Sequence, residues 1–161
     1  LSELTPETRV YPVNCDLAKE LKALGWSEYF IKDYVKSLKT SVGSRLSKTE
    51  DVEALVSAML HYRGSIEGGF CVRRVEEFLP NTEKRYFVFN GKPHAPGGEV
   101  PEIVHQCASR LASRFYSADV IERTDGKQRI VEVGDGQVSD LVGWAPKHFA
   151  KALAQSFLNQ N

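Results

Sequence analysis

The stretch "RIVEVGDGQVSDL", Arg129 to Leu141, ends an apolar alternation with a group of carboxylates. Its first five residues alternate as a β-strand does, with Glu132 as the acidic interruption. Gly134, Asp135 and Gly136 follow at once, and Asp140 lies four residues beyond. Acidic residues are common at exposed turns, but acids at the tip of a buried strand are held in place for a ligand. Both interpretations stay open on this stretch alone.

Composition excludes several classes of protein. The chain has 161 residues, of which 42% are hydrophobic and 26% are charged, as in an ordinary globular protein of one domain or two small lobes. The formal net charge is zero, so no overall basic field favours a nucleic-acid partner. No apolar run is long enough to span a membrane. Three cysteines, Cys15, Cys71 and Cys107, at unrelated spacings indicate a reduced, cytoplasmic protein.

Periodicity and turn residues predict nine elements that mix helices and strands. They are a helix capped by Asn14 and ending at Gly25, a strand over 29–35, a helix starting with the capping-box pair Ser47 and Glu50 and ending at Gly64, strands over 70–79 and 85–90, a helix from Pro101, strands over 115–122 and 128–133, and a helix from Pro146. The alternation is not the strict one of a doubly wound sheet. An α+β fold is therefore expected.

The last two strands form a predicted hairpin across "TDGK", residues 124–127. Antiparallel pairing across this turn brings Asp119 and Glu132 side by side. Two adjacent carboxylates repel each other unless a cation lies between them, and Asp135 can join them from the following loop. Oxygen ligands of this kind suit Mg²⁺, which also binds phosphates. The alternative is that Glu132 faces solvent and Asp135 belongs to a plain turn.

Two lysines mark the second element. Lys32 lies inside the apolar strand "YFIKDYVK", and Lys36 ends it. The loop "KTSVGS" that follows, residues 39–44, offers hydroxyls and backbone N–H groups that can surround phosphates. It lacks the Gly-Lys-Ser/Thr ending of a P-loop. A snorkelling lysine followed by a solvated linker is the alternative.

The segment "RRVEEFLPNTEKRYFVFNG", residues 73–91, has the groups that an adenine nucleotide needs. Phe78 and Leu79 offer apolar faces and backbone polar groups for the base. Glu83 can accept hydrogen bonds from ribose hydroxyls, and Arg85 can bind phosphate oxygens. The alternative is a plain hairpin with a charged turn.

The order of these features over residues 29–141 resembles the ATP-grasp superfamily. "KDYVKS", the arginine-containing strand and "VEVGDGQVS" are especially similar to a small clade of bacterial and phage ATP-grasp proteins. The resemblance implies an ATP-grasp fold, in which two α+β lobes hold the nucleotide between antiparallel sheets. The implied lobes cover about residues 26–78 and about residues 79–161.

The resemblance also implies a role for each candidate residue. Lys32 contacts the α- and β-phosphates, and Lys36 and Arg85 are the catalytic cations at the transferred phosphate. The Ser41–Ser44 loop covers the triphosphate, and Glu83 binds the ribose. The implied ATP ligands are Lys32, Lys36, Ser41, Ser44, Glu77, Phe78, Leu79, Glu83 and Arg85.

The implied metal ligands are Asp119, Glu132 and Asp135. Many ATP-grasp enzymes end this motif with Glu-x-Asn, whereas Gly134 stands at the asparagine position in this chain. We infer that Asp135 replaces the asparagine. Asp140 receives no role.

The implied activity is that of an ATP- and Mg²⁺-dependent carboxylate–amine or carboxylate–thiol ligase that forms an acylphosphate. The carboxylate and its acceptor are unidentified, and no nucleic-acid or membrane partner is expected. The strand of Lys32 begins too early in the chain for the usual N-terminal substrate domain. The sequence is then a fragment, or a minimal version whose missing part another domain or a homo-oligomer supplies.

Three alternatives remain at this point. A covalent nucleotidyltransferase, such as an RNA or DNA ligase core, would use Lys32 as its nucleophile, with "EGGFCVR" as a ligase-like strand, but Lys-x-Asp-Gly is missing. A non-catalytic ATP-binding domain is the second. A zinc site of His94, His105 and Cys107 is the third, although its spacing is not standard and Cys107 lies on an apolar helix face.

Overall fold

The computed structural model describes residues 1–34 and 44–158. They form two compact units, of which one comprises Pro6–Glu76 and the other comprises Leu1–Thr5 together with the chain from Glu77 onwards. Each unit contains a four-stranded antiparallel sheet and helices, so the predicted α+β class is confirmed. Across the described ranges, no helix combines the length and the apolar composition that crossing a membrane requires.

The unit of residues 6–76 consists of one sheet, two α-helices and a short 3₁₀ helix. Its elements are β1 (Thr8–Tyr11), α1 (Leu17–Leu24), β2 (Tyr29–Asp33), β3 (Arg45–Leu46), the 3₁₀ helix (Thr49–Asp51), α2 (Val52–Arg63) and β4 (Phe70–Arg74). The sheet order is β1-β4-β2-β3. Strand β2 therefore has a neighbour on each side, which holds its register.

The side chains of β2 alternate between the core and the opposite face of the sheet. Tyr29, Ile31 and Asp33 are buried, whereas Lys32 between them is half-buried. Tyr29 and Ile31 pack with apolar residues of both helices, including Leu21 and Leu55. Because successive strand residues point to opposite faces, Lys32 lies on the face away from this helix-covered core.

Glycines end both helices of this unit as predicted. Gly25 has φ 64° and Gly64 has φ 76°, the left-handed conformation that glycine adopts without a Cβ penalty. The helix starts differ from the prediction. Asp16, two residues after the predicted Asn14, accepts the capping hydrogen bond from Lys19 N. The predicted Ser47 capping box is wrong, because the chain forms the 3₁₀ helix first and α2 follows it without a side-chain cap.

The second unit has a four-stranded sheet and two α-helices. Its elements are β5 (Lys84–Phe89), β6 (Lys92–His94), α3 (Glu102–Arg110), β7 (Phe115–Glu122), β8 (Gln128–Asp135) and α4 (Pro146–Leu158). The sheet order is β6-β5-β7-β8. The predicted β7–β8 hairpin and the helix that begins at Pro146 are confirmed.

Both faces of this sheet are covered. On one face, Tyr116 and Ala118 pack against Val104 and Cys107 of α3. On the other face, Phe87 and Phe89 pack with Trp144 and with residues of α4. Burial of each large side chain contributes roughly 1.5–3 kcal/mol. The second face carries Arg85 two residues before Phe87, and Asp119 is its cross-strand partner, so polar groups continue this aromatic layer at one end.

Three strands were not expected from the sequence, and one predicted strand is too long. β1, β3 and β6 have four, two and three residues, too few for a clear alternation. The strand predicted over 70–79 ends at Arg74. Its neighbour β2 begins at Tyr29, the partner of Arg74, so the ladder between them stops there.

Candidate active site

Asp119 and Glu132 are directly opposite each other in the β7–β8 hairpin, as predicted. A β-bulge follows this pair, where the register shifts between Asp119 and Val120. Asp119 is only 5% exposed, whereas Glu132 is exposed. Two opposed carboxylates on one sheet face destabilise each other unless a cation compensates their charge. The hairpin therefore has the geometry of a cation site.

Arg85 supplies a cation beside these carboxylates. It lies on β5 opposite Asp119, so that Arg85, Asp119 and Glu132 form a row across three strands. Its Nε lies 2.7 Å from Asp119 Oδ1, and its Nη2 lies 2.6 Å from Asp119 Oδ2. The side chains of this pair are only 15% and 6% exposed. This bidentate geometry is among the strong forms of a charge-assisted hydrogen bond.

Two contacts outside the row hold Arg85 in position. Arg85 Nη1 donates to the carbonyl oxygen of Asp140 at 3.1 Å. The indole Nε1 of Trp144 donates to the backbone carbonyl of Arg85 at 2.9 Å. Trp144 is itself buried, and its ring lies 5.4 Å from that of Phe87. The guanidinium is therefore attached to the aromatic layer through its backbone and to the loop after β8 through its tip.

The charges of this group shift the pKa values of two side chains. The hydrogen bond with Asp119 raises the pKa of the Arg85 guanidinium, and the charges of Asp119, Glu132 and Asp140 add to this effect against desolvation. Desolvation raises the pKa of the Glu83 carboxyl, and the negative charges of Asp119 and Glu132 raise it further, while Arg85 lowers it. Glu83 therefore shares the electrostatic environment of the row.

The predicted adenine segment pairs with the end of the β7–β8 hairpin. Phe78 forms an isolated antiparallel bridge with Arg123. Its neighbours make the hydrogen bonds, from Leu79 N to Glu122 O at 2.8 Å and from Thr124 N to Glu77 O at 3.0 Å. In such a pair, the N–H and C=O of the central residue point away from the partner strand. Phe78 therefore directs its own backbone donor and acceptor to the outer edge.

Asp135 does not share the sheet face of Asp119 and Glu132. It is paired with Tyr116, three positions from the row, and strand alternation directs it to the opposite face. Its Oδ1 accepts a hydrogen bond from Gln137 N at 2.9 Å, so the carboxylate stabilises the turn after β8. Its assignment as a third metal ligand stays a prediction.

Gly134, at the asparagine position of the family motif, has little room for a side chain. A β-carbon there would lie 3.0 Å from Ser117 Oγ and 3.1 Å from Ser139 Oγ. These hydroxyls are 2.8 Å apart, and Ser139 Oγ also donates to Asp135 O at 2.7 Å. The space beside the row is thus occupied by two serines rather than by an asparagine.

The second glycine of the "GDG" motif has a packing reason. A β-carbon at Gly136 would lie 2.3 Å from two ring carbons of Phe115. The Phe115 ring belongs to the aromatic layer, 5.2 Å from the Phe89 ring. The close approach of the turn to this ring therefore requires glycine at position 136.

The other candidate residues lie in the unit of residues 6–76. Lys32 is opposite Cys71 on β4, on the face of the sheet away from the core. Ser44 is buried just before β3, and its carbonyl accepts a hydrogen bond from Ile31 N at 2.7 Å. Lys36 and Ser41 lie outside the described residues. The phosphate contacts assigned to these four residues stay predictions.

The three residues of the alternative zinc site do not converge. Cys107 is buried in the core, where the Tyr116 hydroxyl contacts its Sγ at 3.9 Å. His94 Nε2 contacts Ser156 Oγ at 2.9 Å, and His105 is exposed. Within the part of the chain that the structure describes, no three His, Cys, Asp or Glu side chains are arranged to hold a metal ion.

The sequence left several residues of the candidate site unidentified. Ser117, Ser139, Trp144 and the Asp140 carbonyl lie on or beside the row. The alternation of β7 could have placed Ser117 on the face of Asp119. A backbone carbonyl and an indole donor leave no recognisable pattern in a sequence.

Comparison with known proteins identifies the family. The family model described as an ATP-grasp domain, family 3 of its clade, matches residues 23–153. The chain belongs to this family. ATP-grasp domains typically belong to ATP-dependent ligases, and the family uses ATP with Mg²⁺. No curated protein sequence matches the chain.

Solved structures of ATP-grasp ligases have the same fold as the chain. The macrocyclase MdnC of Microcystis aeruginosa, bound with precursor peptide MdnA, is 14% identical, with a TM-score of 0.63 over 98% of this chain and 55% of that one. The D-alanine-D-alanine ligase of Coxiella burnetii is 16% identical, with a TM-score of 0.56 over 81% of this chain and 42% of that one. The RiPP-associated ATP-grasp ligase of Chryseobacterium gregarium, in complex with ADP and a leader and core peptide, is 10% identical, with a TM-score of 0.61 over 98% and 55%. The chain thus spans about half the length of these enzymes.

Proposed function

We propose that this ATP-grasp domain activates a carboxylate with ATP and Mg²⁺ and transfers the acyl group to an amine or a thiol. The single observation that carries the proposal is the row of Arg85, Asp119 and Glu132 across three strands of one sheet. It combines a guanidinium for phosphate oxygens with two carboxylates for a hard cation. Family membership supports the use of ATP for this site.

The donor set fits Mg²⁺. Mg²⁺ in nucleotide sites is bound through one or two carboxylates, with waters and substrate phosphates as the other ligands. Asp119 and Glu132 would be the two carboxylates, and Asp135 is proposed as a further ligand from the turn. When bound, the ion neutralises and orients the triphosphate.

Arg85 would bind the transferred phosphate. A substrate carboxylate oxygen attacks the γ-phosphorus, the bond to the β,γ-bridging oxygen breaks, and ADP leaves an acylphosphate. The amine or thiol then attacks the acyl carbon, and inorganic phosphate leaves. The chain needs no covalent nucleophile of its own for these steps, because positioning and charge stabilisation supply most of the catalysis of phosphoryl transfer.

The nucleoside would bind at the segment of Glu77, Phe78 and Leu79. The Phe78 N–H and C=O would hydrogen-bond the adenine edge, which needs one donor and one acceptor. Glu83 would accept from the ribose hydroxyls. Lys32, Lys36, Ser41 and Ser44 are proposed as the phosphate contacts of the other unit, with Lys36 also at the acylphosphate.

The carboxylate substrate stays open. Among the related structures, one ligase is named for D-alanine, and others are complexed with precursor peptides. We propose that the second substrate is held in part by protein outside this chain, since the chain spans about half the length of these enzymes.

The test of this function uses hydroxylamine as the acceptor. We expect Mg·ATP, hydroxylamine and a panel of amino-acid and peptide carboxylates to yield ADP and a hydroxamate, because hydroxylamine attacks an acylphosphate. A label in the α-phosphate should stay with the nucleotide. A lysyl-AMP adduct at Lys32 would instead establish the nucleotidyltransferase alternative. Mg·ATP binding without ADP formation from any of the carboxylates would favour a non-catalytic domain.

Glu83 makes the binding of the nucleoside pH-dependent. Its pKa is raised, so the carboxylate loses its charge at a higher pH than an ordinary glutamate as the pH falls. We expect the affinity for adenosine to decrease between about pH 8 and about pH 5, as the ribose hydroxyls lose a charged acceptor. Adenosine is the probe because it has no phosphate that titrates in this range. Fluorescence or NMR titrations measure the affinity.

Two variants test the assignment of this pH dependence. Glu83→Gln should bind adenosine about tenfold more weakly at high pH and show a flat profile. Glu99→Gln, an exposed loop change in the same unit, should retain the profile of the unmodified chain. An unchanged profile in Glu83→Gln would assign the pH dependence to another group.

A further inference from the structure

Asp119 has no free carboxylate oxygen in the described structure, although it is a proposed metal ligand. Arg85 Nε contacts Oδ1 at 2.7 Å and Nη2 contacts Oδ2 at 2.6 Å. The fork of the guanidinium thus covers both oxygens. A divalent ion that coordinates Asp119 has to replace at least one of these hydrogen bonds. Metal and guanidinium therefore compete for the same atoms.

The surroundings favour the guanidinium while no ligand is bound. Its charge compensates Asp119 and the opposed Glu132, and its third contact is a neutral carbonyl, that of Asp140. Glu83 and the Asp140 carboxylate add negative charge to the same environment. Without Arg85, this group of four carboxylates would have a strong tendency to take up a cation.

Nucleotide phosphates offer Arg85 an equivalent partner. A guanidinium binds phosphate oxygens with the same fork that it uses for a carboxylate. The Nη1 contact to the Asp140 carbonyl, at 3.1 Å, is the weaker part of its present arrangement. Transfer of the fork from Asp119 to a phosphate leaves the Asp119 oxygens available to a metal ion while every group keeps a partner.

We propose that Arg85 is a built-in counter-cation that excludes divalent metal from Asp119 until nucleotide phosphates draw its guanidinium away. The inference rests on the proposed function, in which Asp119 is a metal ligand and Arg85 a phosphate ligand. Its consequence is positive coupling: nucleotide raises the affinity for metal, and metal raises the affinity for nucleotide by the same factor. The chain then binds free Mg²⁺ poorly and takes up metal together with nucleotide.

The test measures Mn²⁺ binding by electron paramagnetic resonance, with Mn²⁺ as a spectroscopic substitute for Mg²⁺. The unmodified chain should bind Mn²⁺ weakly when alone and about tenfold or more tightly when saturated with ADP. Arg85→Ala should bind Mn²⁺ without ADP about tenfold more tightly than the unmodified chain. The same variant should lose most of the effect of ADP on Mn²⁺ affinity.

Arg85→Lys keeps the proposal testable if Arg85→Ala does not fold, which circular dichroism will report. Lysine keeps the charge but cannot cover both carboxylate oxygens, so Mn²⁺ affinity without ADP should rise by roughly threefold. Arg110→Ala removes an exposed arginine of the same unit, whose partner is Glu3, and should leave the Mn²⁺ affinity unchanged.

Glu132→Gln separates this inference from the proposed function. Unchanged Mn²⁺ affinity in both Arg85 variants, with loss of Mn²⁺ binding in Glu132→Gln, would overturn the counter-cation role and keep the metal site. Mn²⁺ and ADP binding that is indifferent to Glu132→Gln would overturn the proposed function itself.

Discussion

Replacement of Glu132 by glutamine is expected to abolish Mg²⁺-dependent ATP hydrolysis and to weaken binding of Mg·ATP about 100-fold. Glutamine has nearly the same shape, so the β7–β8 ladder and the fold should persist. What is lost is the negative charge opposite Asp119 that a divalent cation needs. Isothermal titration with Mg·ATP measures the affinity, and release of phosphate measures the hydrolysis.

The Glu99→Gln variant is the matched control, since it removes the same charge from an exposed loop of the same unit. Metal-free ADP provides a second comparison. Its binding should change much less in Glu132→Gln than binding of Mg·ATP, because Glu132 acts on the nucleotide through the metal. Mg·ATP affinity and turnover like those of the unmodified chain would exclude Glu132 as a metal ligand.

Phe87→Ala is expected to cost about 3–5 kcal/mol of the free energy of unfolding of its unit. The side chain is fully buried, and its ring lies 4.8 Å from Phe149 of α4 and 5.4 Å from Trp144. Truncation therefore leaves a cavity between the sheet and α4. Since Trp144 also holds the Arg85 carbonyl, the variant should weaken Mg·ATP binding as well.

Urea titration followed by the fluorescence of Trp144 measures this loss. A Trp26→Phe background removes the other tryptophan, which belongs to the unit of residues 6–76. Val138→Ala, at a side chain that is 83% exposed, is the control and should change the free energy of unfolding by less than about 0.5 kcal/mol. A loss below about 1 kcal/mol in Phe87→Ala would contradict the packing described for this layer.

The parts of the fold predicted correctly from sequence depend on residues close together in the chain. The β7–β8 hairpin, with Asp119 opposite Glu132, follows from two alternating runs and one short turn. Gly25 and Gly64 end their helices for a local conformational reason. The short strands β1, β3 and β6 have no comparable local pattern, because they exist through pairing with distant strands.

The candidate site divides in the same way. Lys32, Glu83, Arg85, Asp119 and Glu132 were identified by their types and order, and the family assignment that follows from this order is confirmed by the match over residues 23–153. The partners of Arg85 were not predicted. The sequence suggested a phosphate for this guanidinium, whereas the structure pairs it with Asp119 and with the Asp140 carbonyl.

The stretch from Arg129 to Leu141 shows what each level determines. Sequence alone determined that a strand ends in carboxylates and glycines, because alternation and turn residues act over a few neighbours. Tertiary structure decided that Glu132 is in the row while Asp135 is on the other face, and that Gly136 lies against Phe115. It also joined Arg85 to Asp119, Asp140 and Trp144, which are 34, 55 and 59 positions away in the chain. Contacts over such separations depend on strand register and on the packing of the aromatic layer, and no local pattern encodes them.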